Sequence, residues 1–323
     1  MFGSKNLTRQ TQRDEPWSRL LLDRAPRAVL AVTTLTSASN AALKRAATWA
    51  RGFHAKLYVL YVMEPQLAKH NLFPQRHLTQ ILEKNLTTEV LQERVQRWLK
   101  RLDEHVLPRE QILIAEGNLS KQIADASLTA DVDFIVLGLP PPGDPGYRDE
   151  LTPRNIRKLV CMSQRPVLVA HSSAPATHIL AATDFTDPAY PALHYATRLA
   201  NRVGANLSFF HHFDPAKVSL LAPPLIGMIP SWPPATVCWN ASAAWSQLFR
   251  LATHFGAETA TVVTEFGSST SKILSEAAAR RADLIVLGAH KKGLLPHWLH
   301  RSVEVEVLAQ AAVSVMVVPL GVT

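Results

Sequence analysis

The chain has 323 residues, of which 47% are hydrophobic and 19% charged, with a formal net charge of +8. That length suits two ordinary domains with buried cores, and that balance excludes a disordered or low-complexity chain. No apolar run reaches the ~18 residues of a membrane span, and Met1–Arg27 is polar without an apolar signal core, so a cytoplasmic protein is expected; the basic excess favours anionic partners without choosing among them.

Residues 1–26 read as an extension, polar apart from the patch Trp17-Ser18-Arg19-Leu20-Leu21-Leu22. A first α/β unit is expected over 27–172. Its opening strand, Ala28–Thr33, runs into Thr34 and a Thr/Ser turn whose oxygens can cap the next helix. Ala42, Leu43, Ala46, Ala47 and Ala50 then recur at helical spacing. A second strand, Lys56–Met63, ends at Glu64-Pro65, and a longer helix is expected over about Leu78–His105. A third strand, Ile112–Ala115, precedes Gly117, and a short helix leads to the fourth, Phe134–Leu137. The unit closes with a helix over about Asn155–Met162 and a strand over Val167–Ala170. The small, polar, Pro-containing stretch His171–Ala176 reads as a linker.

A second unit, over 177–323, repeats that order. Leu30-Ala31-Val32-Thr33-Thr34-Leu35-Thr36 returns as Leu180-Ala181-Ala182-Thr183-Asp184-Phe185-Thr186, and Asp133–Gly138 returns as Asp283–Gly288, both at an offset of 150. Segments this far apart keeping one offset make the repeat a whole domain. The expected strands are His178–Thr183, Asn206–Phe213, Thr261–Thr264, Leu284–Leu287 and Val315–Val318. The helices carry Ala192, Leu193, Ala196, Leu199 and Ala200, then Ala241–Phe255, then Val303–Ala311. Uninterrupted apolar strands alternating with helices predict a parallel sheet covered on both faces. With right-handed crossovers, the fold class is α/β: two tandem doubly wound parallel-sheet domains.

Ligands of such sheets sit beyond the carboxyl ends of the strands, where strand order reverses. There the second unit has Asp184 after its first strand, His211 and His212 at the end of its second, and the stretch 288–303 after its fourth. Glycines let backbone approach phosphate, and the helix starting near Ser302 offers N–H groups to an anion. A carboxylate such as Asp184 accepts from an adenine amino group or a ribose hydroxyl; it equally suits a simple helix cap.

The strand–Asp-Phe-Thr–helix opening, the Ala-Asp-Leu-Ile-Val-Leu-Gly strand and the trailing Ser-Val helix resemble the universal stress protein family in its tandem two-domain form, over roughly residues 28–319. The resemblance implies a Rossmann-like, adenine nucleotide alpha hydrolase-like fold and a role in survival under stress, without a defined reaction. It also implies a Gly-x-x-Gly-x(9)-Gly-Ser/Thr loop holding ATP phosphates, with the strand-one Asp facing adenosine. Carried over, Asp184, Gly288, Ser302 and Val303 match, while Lys291 and Arg301 stand at glycine positions and Gly293 restores part of the flexibility. Arg301 either plugs the pocket or supplies phosphate donors. The implied cofactor set is Thr183, Asp184, His212, Gly288, Lys291, Gly293, Arg301, Ser302 and Val303, for ATP or a related adenine nucleotide, with Mg accompanying it.

The first unit departs further. Thr34 replaces the Asp, the run Pro140-Pro141-Pro142 removes N–H donors, and Pro153-Arg154 stand where the Gly-Ser pair belongs. It reads as a structural half.

Other features take plainer readings. Cys161 and Cys238 form no spaced pair and are expected to be small buried residues. Glu116 and Glu265 are expected at solvated strand ends. His290, His297 and His300 lack a companion carboxylate or cysteine, so no metal site is expected. Lys291-Lys292 near Trp298 are thin support for nucleic-acid contact, which is not expected. The apolar, Pro-rich Leu220–Pro230 is expected to pack within the chain, with a partner site as the alternative. No catalytic constellation can be assembled, so a non-enzymatic regulator is expected. The alternatives are an interaction module without nucleotide and a weak ATPase. Pairing of the two units as an intramolecular pseudo-dimer, and an unidentified protein partner, complete the expectations.

Overall fold

Every residue of the first strand, β1 (Ala28–Thr33), is buried, as a strand lying between two helical layers requires. The computed structural model describes residues 25–35, 39–63, 87–102, 106–139, 151–185, 190–213, 235–257, 259–264, 267–289 and 302–319. Among these, the first half continues with α1 (Asn40–Phe53), β2 (Lys56–Met63), α2 (Thr88–Arg101), β3 (Ile112–Glu116), α3 (Leu119–Thr129), β4 (Phe134–Leu137), α4 (Pro153–Ser163) and β5 (Val167–Val169). The second half repeats it: β6 (His178–Ala182), α5 (Pro191–Val203), β7 (Asn206–Phe213), α6 (Ala235–Phe255), β8 (Thr259–Thr264), α7 (Ser269–Ala279), β9 (Leu284–Ala289), α8 (Val303–Gln310) and β10 (Ser314–Pro319).

The described strands form one sheet in the order β3-β2-β1-β4-β5-β10-β9-β6-β7-β8. Pairing is parallel within each half, as for Val29 beside Leu57 and Phe134. Between the halves it is antiparallel: Val167, Leu168 and Val169 of β5 face Val317, Met316 and Val315 of β10. The fold is thus two tandem doubly wound α/β units.

Side-chain alternation along the strands splits the core into two layers. Val29 and Ala31 of β1 pack under α1 and α2 with Leu43, Trp49, Leu91 and Val95, and this layer continues to Leu193 of α5 and Leu248 of α6. Leu30 and Val32 point to the opposite face, with Ile123 of α3, Ile156 of α4, Ile273 of α7 and Val307 of α8. Asp133 and Asp283 repeat a shared role at the feet of the first strands. Asp133 Oδ2 accepts from the Ala28 N–H at 2.9 Å, and Asp283 Oδ2 accepts from the Thr177 N–H at 2.8 Å.

The halves diverge where they meet. Arg45 of α1 is almost fully buried and donates from Nε to the Ser172 carbonyl at 3.2 Å, with its guanidinium 5.5 Å from the Trp49 ring centroid. Burial lowers the Arg45 pKa while Asp283 of the other half opposes that shift. Tyr195 of α5, 150 residues on, is buried too, and burial together with Asp133 raises its phenol pKa.

Helix α2 spans Thr88–Arg101, the later part of the stretch expected to be helical; 64–86 and 103–105 lie outside the described residues. Helix α6 begins six residues earlier than expected, at Ala235. Cys161, expected to be buried, is exposed on α4, because Ile156, Leu159 and Val160 already occupy the face turned to the core. Glu116 is exposed, at the end of β3. No helix among the described residues is long and apolar enough to cross a membrane.

Leu168 is fully buried between Val136 and Met316, so Leu168→Ala should cost about 2–5 kcal/mol, measured by urea titration. Because the sheet runs through both halves, unfolding should remain a single transition with coincident fluorescence and circular dichroism midpoints.

Candidate functional site

The chain leaves β6 to build β7 and β8 on one side, then crosses to β9 and β10 on the other. The carboxyl end of β6 therefore opens at the point where strand order reverses. Ala181 pairs with Phe209 of β7 and Val286 of β9, so continuing both registers brings Thr183 beside His211 and Gly288.

Beyond β6 the chain makes a tight turn. The Thr183 N–H stays with the sheet, donating to the Phe210 carbonyl at 3.0 Å, and Thr183 Oγ1 accepts from the Phe185 N–H at 3.1 Å. Phe185 is thereby held in the left-handed region, at φ 61°, which costs a bulky residue on the order of 1–3 kcal/mol. Asp184, between them, stands exposed. The first half makes the same turn: Thr33 Oγ1 accepts from the Leu35 N–H at 3.0 Å, and Leu35 lies at φ 55°. The geometry belongs to the repeat, and the carboxylate belongs to the second half alone.

His211 braces this turn. Its ring is buried, and its centroid lies 4.2 Å from that of Phe185 with the planes 31° apart. Nδ1 lies 2.7 Å from the Thr183 carbonyl oxygen; a carbonyl only accepts, so Nδ1 carries the proton and donates. Tyr190 meets Phe185 edge-on at 6.5 Å, and Gln247 of α6 donates to the Tyr190 hydroxyl at 2.5 Å. The sequence argument placed His212 in the site instead. Alternation along β7 turns His212 to the other face, where Nδ1 is 3.0 Å from Ser269 Oγ at the start of α7. The missed signal was register: Thr33 pairs with Tyr61 in the first half, and the equivalent partner of Thr183 is His211.

On the other flank, Gly288 lies within β9, paired with Val318. Ser302 is the N-cap residue of α8 but makes no side-chain capping bond, and Val303 begins the helix half-buried. The first turn of α8 carries Glu304 and Glu306, which complement the helix dipole and oppose an incoming phosphate. Both are engaged elsewhere. Glu304 is buried with Oε1 2.7 Å from Arg157 Nε of α4, in the other half, and Glu306 Oε2 accepts from Thr270 Oγ1 at 2.8 Å.

In the first half the residue equivalent to Ser302 is Thr152, which corrects the placement of the Gly-Ser pair at Pro153-Arg154. Thr152 Oγ1 caps its own helix, accepting from the Asn155 N–H at 3.3 Å, and Pro153 removes an N–H from the first turn. Lys291, Gly293 and Arg301 lie outside the described residues, as do His290, His297, His300, Glu265 and the Leu220–Pro230 segment. Among the described residues no group of three or more His, Cys, Asp or Glu is arranged to hold a metal ion.

Two repeated doubly wound halves, with a carboxylate turn at the switch point of the second, define a tandem Rossmann-like α/β protein. The universal stress protein family model matches the chain twice, over residues 26–171 and 175–319, and the chain belongs to that family. It is similar to the crystal structure of a universal stress protein from Archaeoglobus fulgidus DSM 4304, at 18% identity and a TM-score of 0.58, covering 92% of this chain and 97% of that one. A functionally unknown protein from Pseudomonas aeruginosa PAO1 aligns at 20% identity and a TM-score of 0.54, covering 91% and 93%. A universal stress protein solved in complex with cAMP covers 45% of this chain and 98% of its own, at 18% identity and a TM-score of 0.32. No curated protein sequence matches the chain.

Arg157 retains 19% side-chain exposure and Glu304 only 3%, so removing the cation strands a buried carboxylate. Arg157→Ala should cost about 2–3 kcal/mol in urea unfolding, below the ~3–5 kcal/mol of a fully buried pair, and adding Glu304→Gln should recover at least half.

Proposed function

We propose that the protein is a non-enzymatic, cytoplasmic stress-response regulator that binds an adenine nucleotide at the second half. The observation that carries this reading is the asymmetry of one shared turn. Both halves hold a left-handed residue after a Thr at the end of the first strand, and the second alone presents an exposed carboxylate there, Asp184. Asp184 would accept from the ribose or the adenine amino group. Gly288 allows backbone approach, and Ser302 with the first N–H groups of α8 would receive phosphate. Arg157 offsets the charge of Glu304, which lessens the repulsion that the first turn of α8 offers a phosphate. Mg would arrive on the phosphates, and Lys291 and Arg301 would add cationic donors in place of glycine backbone. The first half, with its helix capped by Thr152 and opened by Pro153, serves as a structural partner, so that the chain works as an intramolecular pseudo-dimer.

A second reading, an interaction module without nucleotide, is favoured by one feature. Trp245 and Phe249 of α6 are each 53% exposed and stack at 5.2 Å with planes 7° apart. An exposed aromatic pair of this kind suits a protein partner.

Titration calorimetry of ATP with Mg should give saturable binding near one per chain. Asp184→Ala should weaken it about 10–100-fold, the ~1.4–3 kcal/mol of a charged hydrogen bond. Absence of heat from folded, nucleotide-free protein would overturn the nucleotide reading in favour of the interaction module. Light scattering should return the mass of one chain, 35.6 kDa; twice that mass would overturn the self-contained pseudo-dimer.

A further inference from the structure

We propose that His211 is the positioning residue of the second-half site: it stiffens the Thr183–Phe185 turn, whose shape both halves share, and so holds Asp184 ready for a nucleotide. The proposal rests on the nucleotide reading above and names the residue that makes Asp184 competent.

Three observations converge on this side chain. The turn contains a backbone conformation that a phenylalanine disfavours, with Phe185 at φ 61°, and such a turn persists only where its surroundings over-determine it. The Thr183 hydroxyl bond to the Phe185 N–H, at 3.1 Å, is short-range and shared with the first half, so it does not distinguish the two. His211 adds two restraints on either side of Asp184: a hydrogen bond to the carbonyl of the residue before it, at 2.7 Å, and a ring contact with the residue after it, at 4.2 Å. The side chain that contacts both neighbours of Asp184 is itself 6% exposed, so it is held in place by packing.

The first half makes the same turn, with Leu35 at φ 55°, from different flanking residues. Tyr61 pairs with Thr33 where His211 flanks Thr183, so a phenol stands there in place of an imidazole. Leu35 replaces Phe185, and Thr33 Oγ1 lies 3.1 Å from Ser39 Oγ, a contact within the turn's own segment. Histidine, the aromatic partner and the carboxylate thus occur together in one half and are replaced together in the other. A ligand hydrogen-bonded by Asp184 gains from this brace because a preorganised carboxylate loses less freedom on binding.

The test separates the bond from the ring. His211→Phe keeps an aromatic contact with Phe185 and removes the N–H donor; His211→Gln keeps a donor and removes the ring. Amide hydrogen exchange by NMR, without any ligand, should show the Phe185 amide exchanging at least tenfold faster in His211→Phe, and less so in His211→Gln. Calorimetry with ATP and Mg should show affinity about tenfold lower in His211→Phe. In an Asp184→Asn background the same change should alter affinity less than twofold, because the brace acts through that carboxylate. A Phe185 amide that exchanges at the parent rate in both variants overturns the proposal, and so does a full tenfold loss in the Asp184→Asn background. If the parent protein binds no ATP, the nucleotide reading fails, and the exchange rates alone decide whether His211 holds the turn.

Discussion

The antiparallel pairing of Val167–Val169 with Val315–Val317 is the contact on which the rest of the molecule depends. Each half by itself would end in an open strand edge with unpaired backbone groups, and an edge of that kind invites association with another chain. Joining the two last strands turns ten described strands into one sheet and removes that edge from both halves at once. It also brings α4 alongside α8, so that Arg157 of the first half reaches Glu304 in the first turn of the helix that borders the candidate site. The electrostatics of one half's crevice are therefore set partly by a side chain of the other.

A tandem chain frees the two copies to differ, and the differences fall where the physics is local. Arg45 and Tyr195 occupy equivalent positions in α1 and α5, both buried, with the aspartate at the foot of the opposite half acting on each. In a symmetric dimer of identical domains these two positions would hold one residue type. Here a cation anchored to the Ser172 carbonyl in the linker stands against a phenol. The same freedom appears at the helix N-termini. Thr152 and Pro153 close the first-half helix on itself, whereas Ser302 leaves α8 without a side-chain cap.

The turn after the first strand joins these threads. A left-handed residue stands in both copies, Leu35 and Phe185, so the backbone shape is shared while the chemistry differs. Asp184 is then the carboxylate that one copy carries on a shared support, and His211 packs against Phe185 beside it. Because a fold does not by itself imply a function, the site and not the sheet carries the distinction between the halves.

The sequence by itself determined the tandem repeat, the order of strands and helices in each half, and the place of Asp184 at the end of the first strand of the second half. These follow from apolar runs, helical spacing and the fixed offset, all of which are local or pairwise properties of the chain. Tertiary structure decided the rest. Which histidine of the adjacent pair serves the turn depends on strand register, because neighbouring residues on a strand face opposite layers; His211 therefore meets Phe185 while His212 meets Ser269. The exposure of Cys161 depends on which face of α4 the sheet claims. The Arg157–Glu304 bridge depends on two helices almost 150 residues apart becoming neighbours across β5 and β10. No spacing in the chain encodes such a contact, because it exists only once the two halves have closed into one sheet.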